Sequence, residues 1–363
     1  MGEIRVASIA EQRLANHRLV SPSLGGPAES VQWLVGIQAQ DDSGARWSIG
    51  LRLPGSTAAN IDKAIRSRQI IRTWAMRGTL HLVAAQDIGW LLSLLSPMVI
   101  SANARRYRQL ELDEATFAVS NNTIATALRD GAQLTRKELV EVLARDGVSA
   151  ERQRAPYLLQ RAALDGLICF GPKRGREPTY ISLRNQLTTA ERLERPEALA
   201  TLARRYFASH GPATQADFAW WSGLSAREAR FAIDAVGHTL VQETTNQQTY
   251  SMTAEPAGGP RSKPVVHLLP AFDNYLLGYK ERDTVLDPTY RKRVNAGGGI
   301  PKPSLLLNGR VAGVWKRRVS KGATSISVDP FRTFNGDDER ALAEAVEQLE
   351  AFLTTPVARA DPI

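Results

Sequence analysis

The sequence predicts an α+β protein: three tandem helix–turn–helix units, each closed by a β-hairpin wing, followed by a small C-terminal β-barrel-like domain. A pattern of helix, turn, helix and hairpin recurs through residue 258. Beyond Pro260 the pattern changes to short β runs punctuated by Gly, Pro and Asn-Gly. The length, 363 residues, suits two or three domains with a sizeable core.

The first unit, 1–100, is the most divergent. It reads as helices near 4–16 and 30–37, a helix over IDKAIRSRQI, and strands at IIRTWAM and TLHLV. A helical stretch over about 85–128 links it to the second unit, the two together making up 101–190. There Thr135 and Glu138 have capping-box spacing, and LVEVLARDG runs helically to a stop at Gly147. Helical periodicity resumes at Glu151, with Pro156 in the first turn. LICF, a basic turn GPKRGREP and TYISL then form the wing. The third unit, 191–258, repeats the order with ALATLARRYFASHG, a Thr214–Asp217 box, LSAREARFAIDAV and a hairpin from HTLVQET to QTYSM. In 259–363, VVHLLPAFD, NYLLGY, SLLLNGR and VAGVWKRR read as β runs. A closing helix over 339–353 follows the acidic GDDE.

Composition excludes several classes of function. The single cysteine, Cys169, lies in an apolar run, so an internal disulfide and a Cys-based zinc site are ruled out, and a reducing cytoplasm is the expected compartment. The apolar run over 88–100 is short and interrupted by Pro97, and the N-terminus has no apolar signal region, so no membrane association is expected. The net charge is +9, carried by 37 Arg and 9 Lys against 37 acidic residues. With a pI near 9.8 this makes nucleic acid the leading partner.

The sharpest motif is Gly36-Ile37-Gln38-Ala39-Gln40-Asp41-Asp42, at the end of the apolar VQWLVG segment. In extended chain Gln38 and Gln40 project to the same side, whereas on a helix they lie about 200° apart. An amide accepts through Oε1 and donates through Nε2, so a converging pair positions a water without strongly activating it. A solvated polar helix end fits the same residues. The second motif, Arg72-Thr-Trp-Ala-Met-Arg77-Gly78-Thr-Leu-His81, alternates like a strand that bends at Gly78. It brings Arg72, Arg77 and His81 as candidates for the same site, although an edge strand with a core-packed tryptophan and a hydrogen-bonded histidine is the preferred reading of these residues until something links the two segments. The basic runs Lys173-Arg174-Gly-Arg176, Arg291-Lys292-Arg293 and Lys316-Arg317-Arg318 are candidate phosphate contacts or solvated faces. His17, His210 and His238 stand isolated, and Gly297-Gly298-Gly299 lacks a dinucleotide-site context.

In combination, GIQAQ, RTWAMRGTLH, LLPAFDNYLLGYKER and GGGIPKPSLLLNGRVAGVWKR resemble the AlkZ/YcaQ-type winged-helix DNA glycosylases, in order and over nearly the whole chain. Gln38-Ala39-Gln40 resembles the Gln-apolar-Gln branch, that of azinomycin resistance. Ala39 is smaller than the usual middle residue. The resemblance implies three winged helices around duplex DNA and excision of N7-alkylated purines, including bulky adducts and interstrand crosslinks. It makes Gln38 and Gln40 the catalytic candidates and implies a monomer without a cofactor. Asp41 or Asp42 would add electrostatic stabilisation, and no amine nucleophile is implicated, so simple hydrolysis is expected. The competing readings are a non-catalytic winged-helix DNA-binding or drug-resistance protein and a small-molecule hydrolase. The first has no use for a paired-Gln motif, and the second lacks a nucleophile–base pair.

Overall fold

The computed structural model describes residues 6–20, 23–187, 190–245, 247–253, 263–297, 300–320, 323–354 and 357–359. Gly298 and Gly299 of the triple glycine lie outside them.

After α1 (Val6–Asn16), the first unit runs α2 (Pro27–Trp33), β1 (Ile37–Gln38), α3 (Asp42–Gly50), α4 (Ala58–Arg66), β2 (Ile70–Trp74) and β3 (Leu80–Ala84). The connecting helix α5 (Ile88–Gln109) is followed by α6 (Glu114–Ala127), β4 (Leu134–Thr135), α7 (Arg136–Arg145), α8 (Arg154–Leu164), β5 (Ile168–Arg174) and β6 (Glu177–Ser182). A short α9 (Arg184–Leu187) leads to α10 (Arg195–His210), α11 (Gln215–Ser222), α12 (Ala226–Val236), β7 (Leu240–Thr245) and β8 (Gln248–Thr253). The expected 85–128 helix is thus two, because Asp113 caps a new start by accepting from the Thr116 amide.

One arrangement occurs three times. A short strand or bridge before the second helix pairs with the returning strand of the hairpin: Ile37 with Leu82, Leu134 with Tyr180, and Ala213 with Ser251. A side-chain cap then starts the next helix, from Asp41, Thr135 and Thr214 respectively. The Thr135–Glu138 and Thr214–Asp217 boxes form as the sequence predicts. The first two hairpins join through Arg72 opposite Phe170, giving one sheet ordered β1-β3-β2-β5-β6-β4. The sequence gives no hint of this merger, since register between distant strands is a tertiary property.

The C-terminal part is β9 (Val266–Leu269), α13 (Asn274–Leu277), α14 (Arg291–Val294), β10 (Ser304–Leu307), β11 (Arg310–Ser320), β12 (Ala323–Pro330), α15 (Gly336–Leu353) and β13 (Val357–Arg359). Its sheet is open, ordered β13-β12-β11-β10-β9, and corrects the barrel-like expectation. Helix α15 supplies the cover that barrel closure would have provided. Leu342, Ala345, Leu349 and Phe352 pack into the same apolar cluster as Leu268, Leu305 and Val314. NYLLGY is also not a strand. Asp273 accepts from the Tyr275 amide and caps a helical turn there. GDDE forms the first turn of α15 rather than preceding it, because Asn335 is the cap.

The C-terminal part shares its core with the first unit: Leu34, Ile37, Ala39 and Trp47 belong to one cluster with Leu269, Trp315 and Phe352. Trp47 donates to the Leu268 carbonyl at 2.7 Å. A second cluster joins α5 to the third unit through Trp90, Leu95, Tyr206 and Phe218. Helix α5 with its preceding turn is long and apolar enough to cross a bilayer, more so than the sequence reading allowed, but half of its most apolar window is buried inside the protein.

Buried polar groups tie these parts together. Arg52 donates to both carboxylate oxygens of Asp273, at 3.0 and 2.9 Å, and neither side chain is exposed. Ser48 donates to Asp273 at 2.6 Å, and Arg52 Nε donates to the His17 carbonyl. His17 and His210, isolated in the sequence, meet at a ring-centroid separation of 4.7 Å. Tyr279 joins them by donating to the His210 carbonyl at 2.7 Å, with His17 Nε2 2.9 Å from its hydroxyl. His238 is exposed and apart. Burial, with the charges around them, holds both buried imidazoles neutral, His210 lowered to about 3 and His17 also well below its ordinary value. Removing one partner of a buried pair strands the other charge. Arg52→Met is therefore expected to lower unfolding free energy by about 3–5 kcal/mol in urea titration; a loss below about 1 kcal/mol would show that the pair is dispensable.

Candidate active site

Gln38 and Gln40 do not end a helix. Helix α2 stops at Trp33, and Val35 takes a left-handed φ of 65°, which a β-branched side chain rarely adopts. Gly36 follows where a Cβ would lie 2.7 Å from Met76 Cε. The chain leaves this bend extended, and β1 pairs Gln38 with His81. The ladder continues as the Ala39 amide donates to Leu80 O at 2.7 Å, while Arg72 Nη2 donates to Ala39 O at 2.9 Å. Ile37 and Ala39 are fully buried in the core shared with the C-terminal sheet. By the two-residue period of extended chain, Gln38 and Gln40 face the other way. Gln38 is half-buried and Gln40 exposed.

The second motif converges on the same strand. Arg77, at a φ of 55° in the bend before β3, directs Nη2 to Gln38 Oε1 at 3.5 Å and Nη1 to Trp220 O at 3.1 Å. His81 is 3% exposed, and its Nδ1 donates to Thr79 O at 3.0 Å. Burial, helped by the Arg77 charge, lowers its pKa to about 4, so it is a neutral support across the sheet from Gln38. Asn274 donates to Gly36 O at 2.9 Å and fixes the entry to the motif from the C-terminal side.

Both aspartates after the glutamines are engaged. Asp41 caps α3 by accepting from the Ser43 amide. Asp42 accepts from Arg46 at 2.5 Å and Lys173 at 2.7 Å, and Arg72 lies 4.0 Å away. Burial alone would raise the Asp42 pKa, but the bonds from Lys173 and Arg46 and the nearby positive charges hold it below the ordinary carboxylate value. Lys173 thereby brings the second wing beside the glutamine strand.

The other basic candidates lie apart from this cluster. Arg174 pairs with Glu138 at 2.7 Å, while Arg176 is exposed at the wing tip and forms no ion pair among the described residues. Arg291 pairs with Asp283, and Arg293 with Asp329 at 2.8 Å. Lys292 is exposed on α14, and Lys316 and Arg317 are exposed on β11. Asn274, Arg46 and Trp220 escaped the sequence reading. Asn274 and Trp220 act across long sequence separations, which no local spacing announces, whereas Arg46 pairs with Asp42 at the i,i+4 spacing of one helix, a signal the sequence did carry.

The family comparison settles which proteins have this frame. The AlkZ-like DNA glycosylase family model matches residues 31–352. The chain belongs to the AlkZ-like DNA glycosylase family. It is accordingly a DNA glycosylase, an enzyme that hydrolyses N-glycosyl bonds. An interstrand DNA cross-link repair glycosylase of Streptomyces sahachiroi is 32% identical over 341 residues, 88% of each chain. The solved structure of the S. sahachiroi DNA glycosylase AlkZ superposes with a TM-score of 0.82, covering 99% of this chain and all of that one, at 24% identity, and so shares the fold.

In this AlkZ-like site Asp42 is a structural anion. Its depressed pKa contributes stability that is present above the ordinary carboxylate pKa of about 4 and lost as pH falls through the lower folded value. Asp42→Asn is expected to be less stable than wild type at pH 7, with the gap closing below about pH 4 in denaturation midpoints. A gap that widened on acidification would contradict this.

Proposed function

We propose that the enzyme hydrolyses the N-glycosyl bond of N7-alkylated purines in duplex DNA, with Gln38 and Gln40 holding the attacking water. The observation that supports this reading is the pinned strand that pairs Gln38 with His81, with Ile37 and Ala39 anchored in the core, leaving Gln38 half-buried and Gln40 exposed just beyond the strand end. N7-alkylation makes the purine cationic and a good leaving group, so departure needs little protonation. The sugar then develops oxocarbenium character, and a water fixed against it completes the exchange. The C1′–N9 bond breaks with its electron pair going to the base, the water oxygen bonds C1′, and one proton is released. Two neutral amides can hold that water through Oε1 and Nε2.

The thrice-repeated element order, with its pairing of short strand and hairpin, supports reading the units as winged helices bracketing the duplex. Arg176 at the wing tip, with Lys292, Lys316 and Arg317 on the C-terminal surface, are the available backbone contacts. The half-open setting of Gln38 and Gln40 suits a lesion too bulky for an enclosed base pocket. The cross-link repair function named for the 32%-identical relative favours including crosslinks among the substrates. Asp41 and Asp42 enter as the cap and the charge anchor of the strand's exit.

Gln38→Ala and Gln40→Ala are each expected to slow release of free base from a duplex bearing one N7-methylguanine by about a hundredfold or more in single turnover. Duplex affinity should stay within about twofold of wild type, since neither residue is a cation. Unchanged release in both variants would overturn the assignment.

A further inference from the structure

Two arginines converge on Trp220, and one of them, Arg77, also touches Gln38. Arg77 lies 4.4 Å from the centroid of the Trp220 ring, and Arg282 lies 5.5 Å from the same ring. Among the described residues neither forms an ion pair, and Arg282 Nε is buried without an acceptor. Among the described residues the one side-chain acceptor offered to Arg77 is the neutral Gln38 amide. Burial lowers both guanidinium pKa values; the charge of Arg282 adds to the effect at Arg77, while the Glu281 and Asp217 carboxylates oppose it at Arg282. Such an arrangement is only partly compensated, because among the described residues no carboxylate reaches ion-pair distance of either desolvated charge.

The surroundings are shaped for an anion. Arg282 and Trp220 line an open cleft of about 470 Å³ together with Lys280, Arg291 and Asn295. Glu281 is the one carboxylate lining it and is exposed, and Arg291 is already paired with Asp283. Lys280 and Arg282 therefore face the cleft without an ion pair among the described residues. The planar guanidinium fork matches a phosphodiester oxygen pair better than a point charge does. Arg77, from the first unit, lines a separate cavity but reaches the same ring, so an anion beside Trp220 of the third unit and Arg282 of the C-terminal part would join all three.

We propose that Arg77 and Arg282, held against Trp220, bind one phosphate of the DNA strand next to the nucleotide being excised. This rests on the glycosylase reading of Gln38 and Gln40. It adds what that reading lacks, a contact that sets the lesion sugar in register with the glutamine strand. Because Arg77 also touches Gln38 Oε1, the bound phosphate and the water-holding amide are one guanidinium apart.

The test uses duplexes with a single N7-methylguanine made uncleavable by a 2′-fluoro sugar, each with one phosphate replaced by a neutral methylphosphonate at successive positions. For wild type, one replacement beside the lesion should weaken binding by about tenfold. In Arg282→Gln the same replacement should cost less than about twofold, with Arg282→Lys retaining part of the sensitivity. Arg77→Gln should lose sensitivity at the same position. Arg282 lines an open cleft and its side chain makes no hydrogen bond among the described residues, so its variants should keep the wild-type melting temperature. Identical position profiles in wild type and Arg282→Gln would overturn the proposal. Base release from the ordinary, cleavable N7-methylguanine duplex separates the two readings. Its absence in wild type would defeat the glycosylase site, while the phosphate coupling would still be read in Kd.

Discussion

The ion pair between Arg52 and Asp273 is the interaction on which the rest of the structure depends. Both side chains are fully buried, so each is tolerable only with the other and with the hydrogen bonds from Ser48 and to the His17 carbonyl around them. Asp273 also caps the turn that carries Asn274 and Tyr275. Asn274 reaches Gly36 O, two residues before Gln38. Tyr275 donates to Gly309 O and Ala10 O and so joins the C-terminal sheet to α1. One buried charge pair thus fixes the first unit, the C-terminal part and the entry to the glutamine strand in one frame.

The exit of that strand is fixed by different means. Asp42 gathers Arg46, Lys173 and Arg72, and Arg72 also holds the Ala39 carbonyl. Gln38 and Gln40 therefore stand between a buried anchor behind them and a partly exposed ionic anchor ahead. Rigid placement of neutral amides suits a reaction whose leaving group is already activated, because little proton transfer is then required of the protein. The neutrality of His81 fits this arrangement, since a titrating imidazole beneath Gln38 would disturb both the sheet and the amide.

Much of the local chemistry was legible in the sequence. The Thr135–Glu138 and Thr214–Asp217 boxes, the bend at Gly78 and the wing strands around LICF and TYISL follow from spacing and turn residues. The ordered motifs were enough to name the family. Three features were not legible. The positive φ at Val35, which turns the glutamines from a helix end into a strand, occurs at a residue type that gives no warning of it. The cap at Asp273 makes a helix of NYLL, whose composition suits a strand equally well. The open C-terminal sheet depends on α15 covering its face, a matter of tertiary packing. Asp42 was read as a possible electrostatic stabiliser, but its partners Arg46, Arg72 and Lys173 come from three separate elements.

The central claim is that this site positions water with neutral amides and without a titrating base. The most direct measurement is the single-turnover rate of N7-methylguanine release as a function of pH, with enzyme saturating and spontaneous depurination subtracted. The account predicts a level profile between about pH 6 and 9, since neither glutamine nor the buried, neutral His81 changes protonation there. A sigmoidal or bell-shaped profile within that range, absent from the DNA-binding affinity, would show a general acid or base at work and contradict it.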